Sequence, residues 1–425
     1  MTELKFLTPV IQNIYSNDEN VVDRQLKRYS QLITWFKNIF DDDNLHFFST
    51  PGRTELGGNH TDHNNGRVLA ASVDIDSIAV VSPNCSNQVT LFSEGYEKAF
   101  CIDLGDLNKI ENEKGTTSAL IRGIAADLKI KGFQIGGFNA CITSDVLPGS
   151  GLSSSASIEV LIGSIFNELY NNGNIPAEEI AKIGQYAENE FFRKPCGLMD
   201  QLACAVGGII AIDFKNPIQP EIIKIDFDFV EQKYRLIVVD SGGSHADLTE
   251  DYSAIPKEMK AVAKMFKKKS CRELSESTLR ANINEIRTKL GDRALLRAMH
   301  FIEENERVQK QVYVLQEKRF SDFLKLITES GNSSFKWLQN IYSTRNNNEQ
   351  GVAVALALTE NFISKIGEGA CRVHGGGFAG TIQAFLPEKN VDDYTKLMES
   401  VFGQKSVKIL KIRPYGTIHL NSFKN

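Results

Sequence analysis

Between Leu147 and Phe166 the chain reads LPGSGLSSSASIEVLIGSIF, a proline- and glycine-punctuated turn, a run of serines, and then an apolar stretch. After Ser153 the residues Ile158, Leu161, Ile162, Ile165, Phe166 and Leu169 keep the spacing of one helix face. The segment therefore predicts a helix buried along one side, with small residues at its N-terminal mouth. The first N–H groups of a helix lack internal partners, and small residues let an anion approach them closely. A phosphate site is one reading of this stretch. A serine N-cap is the other, because the hydroxyl of Ser153, Ser154 or Ser155 can itself accept from one of those donors.

A chain of 425 residues exceeds the size at which one core stops growing, so two lobes are expected, 1–215 and 216–425. The 42% hydrophobic content is ample for their cores. A net charge of -5 on 24% charged residues offers no basic excess to a nucleic acid, and Lys267 to Lys269 read as a solvated face. The seven cysteines are scattered, with no C-x-x-C pair, which argues against disulfides and structural zinc and fits a reducing cytosol. MTELKFLTPVIQNIYS has no basic segment followed by an apolar core, and no run approaches the roughly 18 apolar residues of a membrane span. A cytoplasmic protein with no membrane partner is expected.

Along the chain a helix is expected near Asn20 to Phe40, then short β-type runs, HFFST, GRVLAASVDI, SIAVVSP and QVTLFS, up to Ser93. Helical periodicity returns at Ser118 to Lys131, strand FNACITSDV leads into the serine-rich junction, and Pro176 to Phe192 reads as another helix. GGIIAIDF and KYRLIVVDSG read as strands, the second opening the C-terminal lobe. Helices dominate from Tyr252 to Ser343 and return at Gly351 to Ile366. GTIQAFLP and VKILKIRP are strands on either side of a helix at Val391 to Val401. Strand runs followed by helix runs in each half point to α+β lobes rather than a doubly wound sheet.

Two further segments crowd small or polar residues together. STPGRTELGGNHTDHNNGRVLA, Ser49 to Ala70, reads as a turn-rich loop holding Arg53, Glu55, Asn59, His60, Asp62 and His63. So many hydrogen-bonding side chains are hard to satisfy internally, which suggests a polyhydroxyl ligand, an ordinary polar surface loop being the alternative. RVHGGGFAGTIQAF, Arg372 to Phe385, sets glycines before a strand, where they permit close backbone approach to a ligand or to a neighbouring strand.

With these motifs in this order, the chain resembles the GHMP small-molecule kinases and, among them, the galactokinases. That superfamily shares an early substrate loop, a central P-x-x-x-G-L-S-S-S-A phosphate loop and a late glycine-rich loop. PGSGLSSSA, Pro148 to Ala156, is similar to the phosphate loop, with its proline one residue nearer the G-L pair. PGRTELGGNHTDH resembles the galactokinase pattern PGR-x-x-L-x-G-E-H-T-D-Y, and AENEFFRKPCGLMDQ the pair A-E-x-x-F and C-G-x-M-D-Q. The landmarks run from Pro51 to Gly380, nearly the whole chain.

The resemblance implies a two-lobed fold with the site in the cleft, and ATP-dependent phosphorylation of a sugar at its anomeric hydroxyl, with ATP and Mg²⁺ required. It implies that Asp200 and Arg53 are catalytic, Asp200 meeting the anomeric hydroxyl and Arg53 holding that carboxylate ionised. Pro148, Gly149, Ser150, Gly151, Leu152, Ser153, Ser154, Ser155 and Ala156 would bind ATP, with Ser154 and Glu188 on the metal. Asn59, His60, Asp62, Gly197 and Tyr252 would bind the sugar. In the segment SHADLTEDYSAIPKEM, His245 and Tyr252 keep the family's separation, but an arginine pair is missing. At Asn59 and His63 the family's glutamate and tyrosine are replaced. Loss of a carboxylate at the C6 end relaxes a bar against an acidic sugar, and galacturonokinases share both departures. Galactose is the expected substrate, galacturonate the runner-up, and a sugar-sensing regulator without turnover the alternative of another class. A monomer is expected.

Overall fold

The computed structural model describes residues 7–147, 149, 151–243 and 248–423. Pro148, Ser150 and His245 therefore lie outside the described residues. Twelve strands are present among them: β1 (His46–Gly57), β2 (Arg67–Pro83), β3 (Gln88–Ser93), β4 (Phe100–Asp103), β5 (Phe138–Ser144), β6 (Ile209–Asp213), β7 (Glu221–Ile225), β8 (Tyr234–Asp240), β9 (Ala370–Val373), β10 (Thr381–Pro387), β11 (Val407–Leu410) and β12 (Ile418–His419). Eight form one sheet along the path β12-β1-β2-β5-β3-β4, with β6 added on β2 and β7 on β6. The other four form a second sheet in the order β11-β8-β10-β9. The two sheets with segregated helices are the expected α+β arrangement. The expected division at 215/216 falls inside the β6–β7 hairpin. The first sheet's pairing runs on to Ile225 and resumes at Ile418–His419.

Strand β2 organises the larger sheet because it is long enough to serve two partners. Arg67 to Ala71 pair with β6, and Ser77 to Pro83 pair with β5, so one strand carries two neighbours on the same edge. Two expected runs, GRVLAASVDI and SIAVVSP, are thus one continuous strand. Helices Thr117–Ile130, Ser154–Asn171, Ala177–Tyr186 and Met199–Val206 cover one face of this sheet, closing a core that includes Val68, Ile124, Val160, Phe166 and Leu202. A second core joins the sheets, bringing Leu56, Val73 and Leu152 against Leu236, Val238 and Phe385. The cleft is therefore floored by shared packing.

Two local expectations are corrected. PGRTELG is not a turn but the second half of β1, buried throughout, with register shifts at Pro51/Arg53 and Glu55/Gly57 where proline and glycine break the ladder. Glycine at 52 serves close approach, since a Cβ there would lie 2.9 Å from the Leu152 carbonyl oxygen. The expected helix Pro176 to Phe192 is α-helical only to Tyr186 and continues as a π turn over Ala187–Phe192. Such a turn inserts backbone into the helix and re-aims its side chains. Its first acidic residue is Glu188.

Candidate active site

The serine-rich junction is built as a ligand-facing helix start. Gly149 and Gly151 take positive φ values of 79° and 73°, and Ser153 sits left-handed at the N-cap of the helix Ser154–Asn171. Ser153 makes no side-chain capping bond. Its hydroxyl instead donates to Asp200 Oδ2 at 2.6 Å. The serine-cap reading is therefore set aside, and the first-turn N–H groups keep their capacity for an anion. Leu152, fully buried, anchors the loop, which burial of a leucine side chain supports by about 2 kcal/mol. The Arg53 backbone N–H adds a bond to the Leu152 carbonyl at 3.0 Å.

Arg53 and Asp200 meet across this loop. From β1 the guanidinium donates through Nε to Asp200 Oδ1 at 2.6 Å and through Nη2 to Oδ2 at 2.7 Å, while Nη1 donates to the Gly151 carbonyl at 2.5 Å. A third of the Asp200 side chain remains open to the cleft. Burial pushes its carboxyl upward, but the Arg53 charge and the bonds from Arg53 and Ser153 outweigh that and hold it below the ordinary aspartate value. It is an anion at neutral pH, with an exposed face toward whatever enters.

The late glycine loop closes the same space. Gly375, Gly377 and Gly380 have φ of 67°, 78° and 87°. With His374, Gly376, Ala379 and Thr381 they face Gly149, Gly151, Ser153, Ser154, Ser155, Arg53, Lys194 and Asp200 around a cavity of about 240 Å³. Gly151 fits only without a side chain, since a Cβ would lie 2.5 Å from Thr381 Oγ1. His374 bridges Thr381 and Thr54 at 3.0 Å each. Burial, with Arg53 and Arg372 nearby, keeps its imidazole well below the usual histidine range and neutral.

Glu188 is buried beneath the helix start. Its Oε1 accepts from Ser155 Oγ at 3.2 Å and Lys194 Nζ at 3.3 Å, and its Oε2 from Gln201 Nε2 at 3.0 Å. The serine that hydrogen-bonds Glu188 is Ser155, next to the expected metal ligand Ser154, because Ser153 holds the N-cap and the second helical position is the one turned to the π segment. The same Gln201 amide bridges to Glu159 Oε2 at 2.9 Å. Burial and the Glu188 charge raise the Glu159 carboxyl well above its usual value, so it is neutral. Among the described residues no group of three His, Cys, Asp or Glu is poised around one ion. One carboxylate beside serine hydroxyls fits Mg²⁺, which keeps waters and takes its remaining ligands from phosphate.

The expected sugar residues divide. Asp62 abuts Gly197, where a Cβ would lie 2.0 Å from its Oδ2, so that glycine makes room for the carboxylate. His60, at φ 58°, has its Nε2 2.9 Å from the Gly376 carbonyl oxygen, and its Nδ1 is buried without a partner. Burial and the neighbouring His63 push its pKa down to about 3. Tyr252 donates its hydroxyl to the Gly377 carbonyl at 2.9 Å and packs edge-on against Phe378, shaping the glycine loop. Asn59 contradicts its expected role of facing C6. It is fully buried, donating to Glu55 Oε1 at 3.1 Å and the Gly375 carbonyl at 2.7 Å, and accepting from Asn340 at 2.9 Å and Ser334 at 3.3 Å. Glu55 in turn is ion-paired with buried Arg372. The polar crowding of this segment is thus satisfied largely within the protein.

Sequence reasoning missed Lys194, His374 and Gln201. Gln201 closes the C-G-x-M-D-Q motif, Lys194 lies two residues before it, and His374 immediately precedes the glycines, so membership of or nearness to a motif was the available signal.

A serine-rich loop at a helix mouth and a late glycine loop, joined over a carboxylate–guanidinium pair, define a GHMP-type kinase. Residues 118–208 match the GHMP kinases N terminal domain, and 34–83 match the galactokinase galactose-binding signature. The chain is 31% identical over 381 residues to the galactokinase of Clostridium acetobutylicum, covering 87% of this chain and 92% of that protein. It is 29% identical over 389 residues to the galactokinase of Clostridium tetani, covering 89% and 92%. The structure of Lactococcus lactis galactokinase complexed with galactose superposes with a TM-score of 0.79 at 25% identity, covering 92% of this chain and 99% of that one. The chain belongs to the galactokinase family.

Proposed function

We propose that the protein transfers the γ-phosphoryl group of ATP to the anomeric hydroxyl of galactose, giving galactose 1-phosphate and ADP. The observation that carries this reading is the Arg53–Asp200–Ser153 constellation, in which one carboxylate is bound to the phosphate loop and also open to the cleft. The anomeric oxygen bonds to the γ-phosphorus as the bond to the departing ADP oxygen breaks. Its proton passes to Asp200 and then to solvent. Because Asp200 is held below the ordinary aspartate pKa, it is a weak base, and its main work is to orient the O–H and accept the proton late in the transfer. Such a transfer needs positioning and charge stabilisation more than strong proton abstraction. Arg53 fixes Asp200 in both directions and supplies positive charge beside the reacting oxygens.

The backbone of Gly149 to Ala156 would cradle the nucleotide phosphates, and Glu188 with Ser155, aided by Ser154, would hold Mg²⁺, which neutralises phosphate charge when bound. Asp62, in the space Gly197 leaves, is the retained sugar ligand, with His60 and Tyr252 ordering the glycine loop beside it. Galacturonate loses the support that came from Asn59 facing C6 and keeps only the His63 departure, because Asn59 is committed to a buried network. A sensor without turnover would not need Asp200 ionised and ordered from both sides. A coupled ADP-release assay against a panel of free sugars and uronic acids tests the reading: galactose-dependent release is expected, and release with galacturonate but not galactose would overturn it.

A further inference from the structure

Lys194 stands on the short segment between the π turn and the helix Met199–Val206. Its side chain is 64% exposed, and its ammonium touches Glu188 through one contact of 3.3 Å. It borders the same cavity as Gly149, Gly151, Ser154 and Asp200. The other charged cation on that wall, Arg53, is committed on all sides to Asp200 and the Gly151 carbonyl. The helix start contributes only about half a positive charge, far less than a nucleotide's phosphates carry. A lysine on a flexible stem can swing between two anions, which a planar guanidinium locked on both edges cannot.

We propose that Lys194 is a phosphate ligand for the bound nucleotide, turning its ammonium from Glu188 into the cavity. A divalent ion on Glu188 would displace the ammonium from the oxygen it shares with Ser155. The displaced charge would then lie beside the phosphate loop, where it adds to the charge needed for phosphate binding.

The inference rests on the kinase reading, and binding rather than turnover separates the two. Titration calorimetry of ADP and ATP with Mg²⁺ present, at low and at moderate salt, compares wild type with Lys194→Met and Lys194→Arg, with urea stability measured alongside. Lys194→Met is expected to bind ADP about tenfold more weakly at low salt, with a shallower salt dependence, and Lys194→Arg to stay within about threefold of wild type. Lys194→Met binding within about twofold of wild type at both salts overturns the proposal, whatever its stability, and leaves the kinase reading standing. A wild type that binds neither nucleotide overturns both.

Discussion

Asn59 shows how far one side chain's surroundings can redirect an argument. In the sequence it is the position where a family carboxylate is lost. In the structure that space is a closed network of Glu55, Asn340, Ser334 and the Gly375 carbonyl. Asn59→Glu would set a second carboxylate against Glu55 and remove two donors from buried acceptors. The expected outcome is a loss of about 3 to 5 kcal/mol in urea unfolding rather than a change in sugar preference. Stability within about 1 kcal/mol of wild type, with a shifted galactose-to-galacturonate ratio, would return Asn59 to the sugar.

The Asn59 carbonyl also accepts from or orders His300, whose Nε2 lies 3.0 Å away and whose Nδ1 meets Ser333 Oγ at 2.8 Å. Burial lowers the His300 pKa below its ordinary 6.5. The unfolded chain then binds a proton that the folded chain does not, so this residue removes stability as pH falls from 6.5 toward the folded value. In His300→Gln that penalty is absent. The stability gap between wild type and His300→Gln should narrow on acidification from pH 7 to 5, by at most about 1.4 kcal/mol per pH unit. Equal gaps at both pH values would mean that the imidazole is not held neutral.

At the scale of elements, the helix starting at Ser154 was legible from its apolar face, and its serine-rich mouth lies on the cleft beside Asp200. What the local pattern could not carry was direction. Ser153, Ser154 and Ser155 look equivalent in sequence, but a left-handed Ser153 sends its own hydroxyl to Asp200 and the hydroxyl of Ser155 to Glu188. PGRTELG was misread because proline and glycine signal turns, whereas here they mark bulges in a buried strand that must touch the phosphate loop. The π turn at Glu188 has no periodic signature at all. The meeting of the two loops gives its own test, because Gly151 is positive in φ and crowded by Thr381 and His374. Gly151→Ala should cost about 1 to 3 kcal/mol and weaken nucleotide binding more than sugar binding. Unchanged stability and nucleotide affinity, by urea unfolding and calorimetry, would show that the loop tolerates a side chain and is not held at this approach.

Across the whole molecule, the four motifs are dispersed over most of the chain, yet each contributes residues to one cleft because the sheets share a core through Leu56, Leu152 and Phe385. The order of motifs conveyed the family, and length suggested two lobes, but the first sheet crosses the expected division at 215/216. The long-range pairings that bring β12 back to β1, and Arg372 to Glu55, had no local signal, since each depends on residues far apart in the chain. The central claim is that Asp200 serves the transfer itself and not the nucleotide. Its most direct test is steady-state galactose phosphorylation, with separately measured ATP affinity, in wild type and in Asp200→Ala confirmed to be folded. The account predicts a fall in kcat of about a hundredfold or more with ATP affinity nearly unchanged. A folded variant that keeps more than about a tenth of the wild-type kcat, or that loses turnover only through loss of ATP binding, would contradict it.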